Sequence, residues 1–148
     1  MAKAPPSPSN SVKLAIVDTS VYIGLYRTGA LSEFLLQCKY LIRGSSVVLA
    51  ELARGARTTE EGEFVVDLSK RLQLVTPTEQ DWLSSGEVVR RLSKKHSFDI
   101  HKTREIHFDV LIALSARRLG GAVITTDRED FEKIQEYVSF ELVAPSVA

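Results

Sequence analysis

Short apolar runs rich in β-branched residues alternate along the chain with longer segments in which apolar residues recur every three or four positions. The short runs are KLAIVD (13–18), VVLA (47–50), LQLVTP (72–77), AVITT (122–126) and SFELVAP (139–145). They are too short for helices and read as buried strands. Helical spacing covers Ser20 to about Tyr26, halts at Thr28-Gly29 and resumes over Leu31–Leu41. A helix opening at Glu51 is interrupted near Gly55 or Gly62, and Glu63–Leu72 continues the pattern. Thr78 precedes an amphipathic helix to about Lys95, with Asp81 placed to close a capping box. Residues 96–104 read as a polar loop. Glu105–Leu119 reads as a helix whose middle, VLIALSA, is apolar nearly all round and hence buried, ended by Gly120-Gly121. DREDFEKIQEY (127–137) reads as the last helix. Strands alternating with helices predict an α/β domain: three layers, α/β/α, around a central, mostly parallel five-stranded sheet.

Composition narrows the class. A chain of 148 residues with 44% hydrophobic content suits one globular domain. No apolar run reaches the length of a membrane span. The opening MAKAPPSPSNS has no apolar signal-peptide region, so residues 1–11 read as a flexible leader and 12–148 as the domain. A lone cysteine, Cys38, excludes an internal disulfide framework and points to a reducing, cytoplasmic setting. Nineteen basic and nineteen acidic residues leave a formal net charge of zero, which argues against holding nucleic acid by bulk charge. The charges are nevertheless uneven, with RRLSKKH (90–96) and HKTRE (101–105) set apart from EEGE (60–63).

Four acids adjoin apolar runs. Asp18 ends the first run, Glu51 follows VVLA, Asp109 precedes VLIALSA, and Asp127 follows the fourth run. A carboxylate in such a position is partly desolvated, which is costly unless it is paired or bound to a cation. If the four converge, each pair about 4 Å apart costs roughly 4 kcal/mol at an effective dielectric of 20. A hard divalent cation relieves both penalties, and an all-carboxylate set favours Mg²⁺ or Mn²⁺ over zinc. The plainer reading makes Asp18 and Asp127 helix N-caps and Glu51 an exposed helix-start carboxylate. Asp109 fits that reading least well.

These residues resemble the PIN domain, the metal-dependent ribonuclease fold found in VapC-type toxins of prokaryotic toxin–antitoxin pairs. The resemblance runs from Val12 to Pro145. It is carried by AIVDTSVYIGLY (15–26), VVLAELARGAR (47–57), HFDVLIALSARRLGGAVITTDREDF (107–131) and the closing LV (142–143). It implies that Asp18, Glu51, Asp109 and Asp127 are the family's four acidic positions, both catalytic and metal-binding. Thr19 or Ser20, and Thr126, fall where a small hydroxyl supports the metal. Asp130, in the Asp130-Phe131 pair, is an outer metal ligand or a helix-turn residue. The Pro/Ser leader is longer than such toxins usually carry.

The implied activity is hydrolysis of RNA phosphodiesters by water activated on one or two Mg²⁺ or Mn²⁺ ions. Affinity for RNA then needs cations at the rim. Arg54, Arg57, Arg117, Arg118 and Arg128 are candidates, followed by Lys94–Lys95–His96 and Lys102–Arg104, although each also suits a solvated helix face. His107 reads as structural more readily than as a phosphate ligand. Tyr22, Tyr26 and Trp82 are candidates for base stacking, with core packing the better expectation for Trp82. The resemblance further implies a homodimer and a small antitoxin covering the acidic pocket. The face of Leu31, Phe34, Leu35, Cys38 and Leu41 could receive a partner helix or a second copy, or could simply pack on the sheet. Two other readings compete. One is a PIN-like module that binds RNA or protein without cutting. The other is a haloacid-dehalogenase-type phosphotransferase, which would need a second aspartate where this chain has Ser20.

Overall fold

Residues 13–17 form the innermost strand, β1 (Lys13–Val17), and Ala15, Ile16 and Val17 are buried on both faces. The computed structural model describes residues 12–146, so the leader at 1–11 lies outside the described residues. Helices α1 (Thr19–Thr28) and α2 (Ser32–Gln37) follow, separated by Gly29, whose φ of 73° ends the first helix at the expected Thr28-Gly29 stop. Next come β2 (Tyr40–Ser45), α3 (Ser46–Gly55), α4 (Thr59–Arg71) and β3 (Leu74–Val75). The chain continues through α5 (Glu79–His96), α6 (Ile100–Leu119), β4 (Ala122–Ile124), α7 (Arg128–Ile134) and β5 (Glu141–Val143).

The five strands lie in the order β3-β2-β1-β4-β5, and every pairing is parallel. Helices cover the sheet in an α/β/α arrangement, as an all-parallel sheet requires. The middle of α6 supplies the largest share of the core. Val110 to Ala116 are completely buried, and Leu111, Ile112 and Leu114 each contribute about 1.5–3 kcal/mol on burial. Two expected terminators are present. Thr78 and Asp81 form a reciprocal capping box at the start of α5. Gly120, at φ 65°, closes α6 with its N–H on the Ala116 and Arg117 carbonyls.

Several boundaries differ from the sequence reading. VVLA is not a strand; it is the first part of α3. Ser45 caps that helix by accepting from the N–H groups of Val47 and Val48 at 3.2 and 3.3 Å. The second strand is instead YLIRGS, so the helix expected over 31–41 stops at Gln37. Helix α4 begins at Thr59, four residues before the expected start, because Thr58 and Glu61 make their own capping box. The expected loop at 96–104 is mostly helix. Asp99 accepts from the Lys102 N–H at 2.8 Å and starts α6 at Ile100. The expected strands at 72–77, 122–126 and 139–145 shorten to two, three and three residues. The last helix ends at Ile134.

Candidate metal centre

Strand β1 is flanked by β2 on one side and β4 on the other, so strand order reverses between β1 and β4. In open α/β sheets the crevice outside the carboxyl ends of strands at such a point is where ligands bind. Asp18 and Asp127 stand there. The Asp18 N–H continues the ladder by donating to the Ile124 carbonyl at 2.8 Å. Both aspartates hold N-cap positions, of α1 and α7, yet neither side chain makes a capping hydrogen bond. The plain N-cap reading thus has the positions right, without the side-chain bond that a cap supplies.

The Asp18 carboxylate is only 4% exposed, and hydroxyls serve it. Its Oδ2 accepts from Thr125 Oγ1 at 2.9 Å and Ser20 Oγ at 3.0 Å. Burial nevertheless outweighs these bonds and raises its pKa. Glu51, on the second turn of α3, accepts from Thr19 Oγ1 at 2.7 Å. Its pKa is raised by burial first and then by the negative charge of Asp18, against the Thr19 bond and Arg54. Asp109 lies midway along α6 and is partly buried. Its pKa is held well above the ordinary carboxylate range, by burial and then by the charges of Asp18, Glu51, Asp127 and Asp130. Asp127 is raised by burial and by Asp130. Carboxylate oxygens of Asp109, Asp127 and Asp130 lie within 4.8 Å of one another.

The fold thus gathers Glu51 of α3, Asp109 of α6, and Asp127 and Asp130 at the start of α7 on the wall of one cleft of about 600 Å³. Asp18 is buried and not on that wall, although its charge is felt by Glu51, Asp109 and Asp127. The donor set is hard oxygen throughout. Ligands about 2.0–2.1 Å from one octahedral Mg²⁺ stand about 3–4 Å from one another, so the oxygens of Asp109, Asp127 and Asp130, within 4.8 Å of one another, would draw in around it. The residues present fit such an ion. A smaller, more apolar cavity of about 140 Å³ shares Glu51 as a wall, but it carries no such convergence of acids.

The rim candidates separate. Arg54 lies over the Phe108 ring, 5.4 Å from its centroid, and lines the cleft together with His101, Arg104 and His107. Arg118 is structural, because it binds the buried Asp81 at 3.1 Å and the Thr76 carbonyl at 3.0 Å. Arg128 pairs with Glu132, and Lys95 and His96 pair with Glu136. Arg57 offers only its backbone N–H to Glu61. Arg117 stands exposed in the last turn of α6, and Lys94 in the last turn of α5. His107 shares a 2.8 Å hydrogen bond with Ser85, and burial lowers its pKa, as suits a structural imidazole.

Tyr22 is buried and its hydroxyl has no partner, whereas Tyr26 packs its ring on Phe64. Trp82 does not pack in the core: it is 51% exposed, edge-on to His107. Leu31, Phe34 and Leu35 pack against the core, whereas Leu41 is exposed and Cys38 is a half-buried free thiol.

The supporting hydroxyl after β4 is Thr125, not Thr126. Thr125 is completely buried, donates to Asp18 and accepts the Asp127 N–H at 2.8 Å. Thr126 contributes only its N–H, to Ser20 Oγ. The ladder extends one residue beyond Ile124 through Thr125 N–H to the Val143 carbonyl, and because β4 is buried on both faces no alternation in the sequence could have singled Thr125 out from Thr126. Asp130 is ion-paired with Lys102, a contact that sequence spacing gave no reason to expect.

The PIN domain family model matches residues 15–137, and the chain belongs to that family. No curated protein matches it. Among solved structures it is similar to VapBC-1 from nontypeable Haemophilus influenzae, at 24% identity and a TM-score of 0.65 over 88% of this chain and 97% of that one. It is also similar to VapBC2 from Rickettsia felis bound to a DNA fragment from their promoter, at 21% identity and TM-score 0.65, covering 90% and 99%. A third is VapBC-5 from Mycobacterium tuberculosis, a member of the VapBC family of toxin-antitoxin systems, at 19% identity and TM-score 0.58, covering 88% and 98%. At these identities the likeness is one of fold. Among the described residues no helix is long and apolar enough to cross a membrane.

Proposed function

We propose that this chain is a Mg²⁺- or Mn²⁺-dependent ribonuclease and the toxin half of a toxin–antitoxin pair, acting in the cytoplasm. The observation that carries the reading is the gathering of Glu51, Asp109 and Asp127 on the wall of one open cleft, with the buried Asp18 near enough for its charge to raise the pKa of each. A module that only bound a partner would gain nothing from such mutual repulsion, so the inert reading is disfavoured.

Asp18, Asp109 and Asp127 would hold the ion, with Thr125 and Ser20 fixing the Asp18 carboxylate and Thr19 fixing Glu51. When bound, the ion lowers the pKa of a water and offsets charge developing on the phosphate. Glu51, whose raised pKa suits it to accept a proton, orients and deprotonates the attacking water. Arg54 and Arg104, on the cleft wall, meet RNA phosphates that the acids would otherwise repel. The leaving 3′- or 5′-oxygen takes up its proton from solvent in the open cleft.

The test is cleavage of an RNA panel with Mg²⁺, with Mn²⁺ and with chelator, followed by end mapping. Asp109→Asn should abolish cleavage without unfolding the chain. Undiminished cutting by folded Asp109→Asn protein overturns the assignment. The partner side of the proposal, a homodimer covered by a small antitoxin, is read by sedimentation and by whether a small protein co-purifies and suppresses cleavage.

A further inference from the structure

Hydroxyl groups answer Asp18 and Glu51, but an ammonium answers Asp130. Lys102, in the first turn of α6, reaches α7 and places Nζ 2.5 Å from Asp130 Oδ2. The two residues are 28 apart in sequence and largely withdrawn from water, with the Asp130 side chain only 13% exposed. Most other ion pairs on this chain are exposed contacts within one helix. Burial works against the charge on Lys102, but Asp130, Asp127 and Glu105 outweigh it, so the group stays an ammonium. Asp130 in turn has a carboxylate oxygen within 4.8 Å of those of Asp109 and Asp127.

We infer that Lys102 is a resident cation at the outer end of the acidic cluster, which reserves Asp130 for the ammonium and limits the centre to one divalent ion. This rests on the reading of Asp18, Asp109 and Asp127 as metal ligands. An ion ligated by the Lys102-bound oxygen of Asp130, about 2.0–2.1 Å away, would stand less than about 5 Å from Nζ. A doubly and a singly charged cation at that range repel strongly. Two-ion centres hold their metals about 3.5–4 Å apart only by surrounding both with carboxylates. Here Lys102 already engages Oδ2 of Asp130, one of the three carboxylates whose oxygens converge. Asp130 is thus a positioning residue, tying α7 to the start of α6 across the mouth of the cleft.

Mn²⁺ titration of the full chain, followed by calorimetry and by the electron paramagnetic resonance signal of free Mn²⁺, reads this directly. Wild type should take up one Mn²⁺ per chain. Lys102→Met should bind a second, or hold the first at least tenfold more tightly, and Lys102→Arg should keep the wild-type stoichiometry. Lys102→Gln, also uncharged, supplies a second variant that does not depend on how Lys102→Met folds; it should show the same change in Mn²⁺ binding. Two Mn²⁺ per wild-type chain, or Lys102→Met and Lys102→Gln titrations superimposable on wild type, each overturns the inference. Wild type that binds no Mn²⁺ sinks both this inference and the metal centre. Wild type that binds one Mn²⁺ yet cuts no RNA sinks the nuclease reading and leaves the role of Lys102 standing.

Discussion

Replacing Asp109 by asparagine should stabilise the metal-free protein, the reverse of what most changes at a half-buried position do. Its carboxylate lies within 4.8 Å of those of Asp127 and Asp130. Two unit charges at that distance repel by about 3.5 kcal/mol at an effective dielectric near 20, and Asp109 takes part in two such pairs. The realised gain is smaller. Solvent screens Asp127, and Lys102 answers Asp130. A net gain of about 1–3 kcal/mol at pH 8 in chelator is expected for the isosteric amide.

The pH dependence follows from the sign of the shift. A carboxyl group whose folded pKa is raised binds its proton more tightly in the native state. Stability is therefore highest with the group protonated, and falls as pH rises from the ordinary carboxylate value near 4 through the folded values. Urea unfolding of wild type in chelator should lose stability relative to Asp109→Asn as pH rises above the ordinary carboxylate range. Saturating Mn²⁺ should reverse the order, because ligand at a hundred times its Kd adds about 2.7 kcal/mol to whichever protein binds it. An Asp109→Asn protein less stable than wild type at pH 8 in chelator, by a margin that does not change with pH, would refute the electrostatic account of the cleft.

Three further changes test how the site is held. Thr125→Val removes the donor to Asp18 and the acceptor of the Asp127 N–H; it should weaken Mn²⁺ binding about 10–100-fold by calorimetry. Ser45→Ala removes the cap at the junction of β2 and α3 and should cost about 1 kcal/mol in urea denaturation. In Gly121→Ala the new Cβ would lie 2.5 Å from the Leu14 carbonyl oxygen, immediately before the pairing of β1 with β4 begins. About 2 kcal/mol or more should be lost, with a matching fall in melting temperature.

The acids at the ends of β1 and β4 were legible because both strands are buried on two faces and read as continuous apolar runs. Asp109 was legible because a charge next to VLIALSA has no solvated face to occupy. β2 was not legible in this way. It lies between β1 and the short β3, Leu41 is exposed, and Arg43 interrupts its apolar character, so its pattern resembles a loop. Its neighbour VVLA mimics a strand in composition. There Ser45 decides the matter, by supplying the N-cap that propensity alone does not reveal. The start of α6 was hidden for the opposite reason: its first turn carries mainly polar and charged side chains, and Asp99 rather than any apolar stripe marks where it begins. Contacts distant in sequence, such as Lys102 with Asp130, depend on how α6 and α7 meet and leave no local trace.

Strand β2 ends on the same residue that caps α3, so no linker separates the sheet from Glu51. That carboxylate has no hinge of its own. Adding one residue anywhere between 46 and 50 would swing it about 100° round the helix axis, away from its neighbours, while leaving the cap intact. Length is therefore tightly constrained in this stretch, and deletions or insertions there should silence the chain even when the domain folds.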